Sequence, residues 1–63
     1  MEIIREHSDL YKVTKNGEPF TVWRNGGGNW WLYIPAKEKN YNCKTLEGCF
    51  NAIANFRVTW ERG

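Results

Sequence analysis

The stretch LYKVTKNGEPFTVWR, residues 10–24, decides the fold. Asn16-Gly17 stands between two runs rich in β-branched and aromatic residues. That dipeptide supplies the positive φ angles of a two-residue hairpin turn. Pro19 has no amide hydrogen to donate, so it belongs at a strand start or on an edge. The pattern predicts two antiparallel strands, over residues 10–15 and 19–24.

Working outward toward the C-terminus, RNGGGN is a second turn, with the length of a looser hairpin loop or one containing a bulge. A third strand is predicted over residues 29–34 and ends at Pro35, and the polar AKEKNYN that follows reads as a connecting loop. At Thr45 the period changes. Leu46, Cys49, Phe50 and Ile53 fall at helical spacing, with Ala52 and Ala54 favouring a helix. Thr45 is the expected N-cap, and Glu47 lies in the first turn, where the dipole favours an acid. Gly48 costs the helix up to about 1 kcal/mol relative to alanine, and its small size lets the helix sit close on the sheet.

Phe56, Val58 and Trp60 alternate with polar residues, while Phe56 and Trp60 also continue the helical stripe from Ile53. The β-branched and aromatic content favours a short final strand over 56–61. Residues 1–9 carry no assigned element, although Ile3 and Ile4 are expected to pack on the sheet. The fold class is α+β in a single domain. It is an antiparallel three-stranded meander, with a C-terminal fourth strand as a further option, packed on one α-helix.

Strict alternation along the strands divides the sheet into two faces. Tyr11, Val13, Phe20, Val22, Trp30, Leu32 and Ile34 share an apolar face that should meet Leu46, Phe50 and Ile53. Lys12, Thr14, Thr21, Trp23, Trp31 and Tyr33 share the other, with Lys15 and Arg24 close by. A one-residue bulge in the glycine turn would exchange the faces of the third strand.

Trp30-Trp31 thus sends one indole into the core and the other away from it. An open face with Trp23, Trp31 and Tyr33, surrounded by Lys12, Lys15 and Arg24, suits two kinds of partner. Protein interfaces use Trp, Tyr and Arg as anchors. Single-stranded nucleic acid stacks bases on such rings and places phosphates on the cations. Structural cross-strand pairing is the third role open to these rings, at about 0.2–1 kcal/mol per pair.

A chain of 63 residues with 41% hydrophobic and 25% charged content fits one small soluble fold. Its net charge of +2 permits an anionic partner without demanding one. The sequence contains no apolar run long enough to cross a membrane. The opening MEIIREHSD lacks the regions of a signal peptide. A cytoplasmic location and no membrane partner are expected.

Cys43 and Cys49, the two cysteines, read as reduced thiols, with Cys49 in the core and Cys43 in a loop. Their spacing lacks the paired pattern of zinc sites, so no metal or cofactor is expected. His7, Ser8 and Asp9 are contiguous and read as a solvated turn, because triads are assembled in space. NGGGN lacks the lysine and hydroxyl of a phosphate loop. The chain is expected not to be an enzyme.

Three antiparallel strands followed by a helix beginning KTLEGCFNAIANF resemble, over residues 10–55, the small three-strand-plus-helix DNA-binding domains. These include the AP2 type and the arm-binding domains of tyrosine integrases. That resemblance implies a sheet entering the major groove while the helix braces its back. Here Arg24 is the only arginine on the three predicted strands, and tryptophan and tyrosine occupy positions of base-reading polar residues. The size and aromatic character also resemble small phage-encoded proteins that dock onto a host enzyme and change its activity. The expected function is a non-catalytic regulatory binding module. A protein partner stands slightly ahead of nucleic acid, as the low basic excess favours.

Overall fold

The computed structural model describes residues 1–56. It contains a five-stranded antiparallel sheet and one helix, an α+β fold with two more strands than the meander expected from sequence. The strands are β1 (Glu2–His7), β2 (Leu10–Lys15), β3 (Glu18–Arg24), β4 (Trp30–Ile34) and β5 (Lys39–Asn42), adjacent in chain order. Helix α1 (Leu46–Asn55) follows. Apart from Phe56, the final strand expected over 56–61 lies outside the described residues.

The Asn16-Gly17 turn forms as the dipeptide dictates. Its two residues have φ of 53° and 82° and join the pair Lys15–Glu18. Asn25 organises the glycine-rich turn: its side-chain Oδ1 accepts from Gly27 N at 3.0 Å and Asn29 N at 3.2 Å. Gly28, at φ 88°, takes the left-handed position there. The turn leaves the parity of β4 unchanged, because Val22 faces Leu32 and Trp23 faces Trp31.

Two segments read differently in sequence belong to the sheet. KNYN, expected as loop, is edge strand β5, and EIIREH at the other edge is β1. All residues of both strands are exposed. They are held by backbone pairing rather than by a buried face, so no apolar alternation marks them. Ile3 and Ile4 join the sheet without entering its core, at 45% and 54% exposure. The helix lies over β3 and β4 and does not cover this edge.

The core is Val13, Phe20, Val22, Leu32 and Ile34 from the sheet with Cys49 and Ile53 from the helix. Tyr11, Trp30, Leu46, Phe50 and Phe56 pack around it. Tyr11 meets Phe50 edge-on at 5.8 Å between centroids, and Phe20 meets Phe56 at 5.4 Å. The helix begins at Thr45, whose hydroxyl accepts from Gly48 N at 3.0 Å. No basic residue of the helix lies in its last turn. Lys15 of β2 serves that end instead, donating from Nζ to the carbonyls of Ile53, Ala54 and Phe56 at 3.0, 2.6 and 3.1 Å.

Candidate functional site: the open face of the sheet

The side of the sheet turned away from the helix carries three cross-strand rows. One runs His7, Leu10, Trp23, Trp31, Asn42, the next Ile4, Lys12, Thr21, Tyr33, Asn40, and the last Glu2, Thr14, Pro19. Trp23 and Trp31 are directly opposed, with centroids 6.4 Å apart and an interplanar angle of 18°. That arrangement is an offset stack of the kind aromatic quadrupoles favour. Tyr33 is one row away, opposite Thr21. Among the described residues no element lies over these three rings, which are half-buried by their neighbours. The Trp31 Nε1–H is shielded and has no hydrogen-bond partner among the described residues.

Of the basic residues expected around the rings, Lys12 alone shares their face. Lys15 stands on the helix side, two positions from buried Val13, with its ammonium on the helix carboxyl end. The reason is electrostatic: the last carbonyls of a helix form its negative pole and lack partners within it. Arg24 is opposite Trp30 on the helix side as well. Its guanidinium contacts Asp9 Oδ1 at 2.6 Å and lies 5.6 Å from the centre of the Trp30 ring. The Arg24 amide also donates to the Asp9 carbonyl at 3.0 Å. Both cations are thus engaged on the helix side, which leaves Lys12 as the one lysine or arginine in the rows of the open face.

Ile4, Leu10, Asn40 and Asn42 are face residues that sequence reasoning missed. Leu10 was in a predicted strand but next to its end, whereas the other three lie on the unread edge strands. The alternation of Asn40 and Asn42 about Tyr41 was the available signal, and it is faint without apolar residues.

His7 ends β1, and Ser8 and Asp9 make the turn into β2. His7 Nδ1 accepts from Asp9 N at 3.3 Å, and the Asp9 carboxylate is directed to Arg24 rather than to the imidazole. Among the described residues no group of three His, Cys, Asp or Glu is placed to hold a metal ion. No described helix is long and apolar enough to cross a membrane. No protein-family model, curated protein or solved structure matches the chain.

Proposed function

We propose that this protein is a non-catalytic regulatory module that binds a protein partner through the open face, with Trp23, Trp31 and Tyr33 as anchors and Lys12 beside them. The observation that carries this reading is the separation of charge from aromatics. The rings collect on the face away from the helix, while Lys15 and Arg24 are drawn to the other side. Interface cores are depleted in charge and enriched in Trp and Tyr. The asparagines and threonine along the same rows provide neutral donors and acceptors for a polar rim. In biological terms the reading matches a small regulator of the phage type, one that docks onto a host enzyme and alters its activity. Its site would be cytoplasmic.

Nucleic acid is the second reading, favoured by the stacked Trp23–Trp31 pair with Lys12 on the same face. One experiment separates the two. Immobilised wild-type protein, Trp31→Ala and Glu47→Lys (an exposed helix position) are compared for capture from lysate with and without nuclease treatment. A protein retained by wild type and Glu47→Lys but lost with Trp31→Ala supports the proposal. Retention by all three places the contact elsewhere. Capture that depends on intact nucleic acid transfers the function to the second reading.

A further inference from the structure

Cys43 and Cys49 are six positions apart, yet the fold brings them together. Cys43 follows β5, and its backbone is held on both sides: its amide donates to the Trp30 carbonyl at 2.9 Å, and its carbonyl accepts from Thr45 N at 2.7 Å. The first turn of α1 then closes directly on it. A β-carbon built on Gly48 would lie 2.8 Å from the Cys43 carbonyl oxygen and 3.7 Å from the Cys43 β-carbon. The next residue, Cys49, is fully buried, and Cys43 packs against the same core cluster. Cys49 is a neighbour of Cys43, which adds to the effect of burial in holding the Cys49 thiol in its protonated form. Cys43 Sγ itself donates weakly to the Tyr41 carbonyl, at a long 3.9 Å.

The pair is asymmetric in access. Cys43 is half-buried, so a small reagent can reach it, whereas Cys49 has no exposed surface. We propose that Cys43 and Cys49 form a redox-active dithiol, which small-molecule disulfides of the glutathione type oxidise to an intramolecular disulfide. In the first step the Cys43 thiolate attacks one sulfur of the reagent, breaking its S–S bond, and one thiolate leaves. The product is a mixed disulfide on Cys43. In the second step Cys49 attacks Cys43 Sγ and expels the second reagent thiolate, which takes up the proton that Cys49 loses. Two protein thiols are oxidised and one reagent disulfide is reduced to two thiols. Burial and the neighbouring Cys43 hold the Cys49 thiol well above the usual cysteine range, so the second step is the slower one. The cross-link would tie the start of α1 to the end of β5, next to the strand that carries Trp31.

The test is intact-mass analysis of the whole folded chain after exposure to glutathione disulfide, with free thiols trapped by alkylation. Wild type is expected to lose two hydrogens, remain monomeric and take up no alkylating reagent. Cys49→Ala is expected to stop at a glutathione adduct, while Cys43→Ser stays unmodified in its folded state. Circular dichroism checks that each variant is folded, and Cys49→Ser replaces Cys49→Ala if the latter is not. A wild-type product that stays at the glutathione adduct overturns the proposal. So do cross-linked dimers, or a Cys43→Ser protein whose Cys49 reacts as fast as wild type.

Discussion

At the residue scale, Gly48 sets two tendencies against each other. An alanine in a helix is favoured over glycine by up to about 1 kcal/mol. Its β-carbon here would sit 2.8 Å from the Cys43 carbonyl oxygen and 3.1 Å from the Thr45 hydroxyl that caps the helix. The first contact is with backbone and cannot be relieved by a side-chain rotation. Gly48→Ala is therefore expected to destabilise the protein by about 1–2 kcal/mol, measured by urea unfolding. A variant as stable as wild type would remove the close approach. Cys49 gives a second residue-scale prediction. Its thiol is raised well above the usual cysteine range, first by burial and then by its neighbour Cys43. The unfolded chain thus releases this proton at lower pH than the folded one, and stability is full below about pH 9 and declines above it. The decline attributable to one such group approaches about 1.4 kcal/mol per pH unit. Alkaline unfolding curves of wild type and Cys49→Ala should differ in that slope, and parallel curves would reject it. Sequence revealed Asn16-Gly17 and the Thr45 cap because each acts on backbone within three residues. It could not reveal the role of Lys15, whose acceptors are 38 to 41 residues away.

At the scale of elements, strands with one buried face were legible and strands without one were not. β2, β3 and β4 show their alternation because Val13, Phe20, Val22, Leu32 and Ile34 must leave water. β1 and β5 bury no residue, and only their hydrogen bonding to a neighbour makes them strands. The hairpin turn into β5 was equally hidden, since it uses Glu38 at φ 54° rather than glycine. The helix is joined to the sheet by packing along its length and by Lys15 at its end. Lys15→Met keeps the aliphatic stem and removes three donors from the Ile53, Ala54 and Phe56 carbonyls. The ammonium is partly exposed, so the expected cost is about 1–2 kcal/mol, below that of a fully buried charged hydrogen bond. Hydrogen exchange should rise in the last turn of α1 and stay unchanged in β2–β4. A uniform rise across the sheet would mean that Lys15 supports the whole fold rather than the helix end.

For the whole molecule, the sorting of residues between the two sides of the sheet bears directly on function. Alternation separated the rings from the core. The same alternation puts Lys15 with Val13 and Arg24 with Val22 on the helix side, so expecting these two cations beside the rings went against the strand period. Their partners there are the helix end and Asp9. The Trp23–Trp31 stack itself is worth about 0.5–1.5 kcal/mol, modest against what two half-buried indoles gain when a partner covers them. Electrostatics then limits what that partner can be. With Lys12 as the one lysine or arginine in the three rows of the face, a nucleic acid bound there releases the counterions of about one phosphate. The logarithmic salt slope is then about −0.7 to −0.9, or roughly a threefold loss of affinity between about 50 and 200 mM salt. Tryptophan fluorescence titration with a short single strand and with a duplex measures this directly. The expected outcome is no saturable quenching of Trp23 and Trp31 at low salt, where phosphate contacts are strongest. Saturable quenching with the shallow slope would assign nucleic acid to this face. Quenching with a slope near −3 requires several cations acting together, and the open face does not provide them. In that case the binding surface would have to include the basic residues on the helix side, and the aromatic face would lose its claim to be the site.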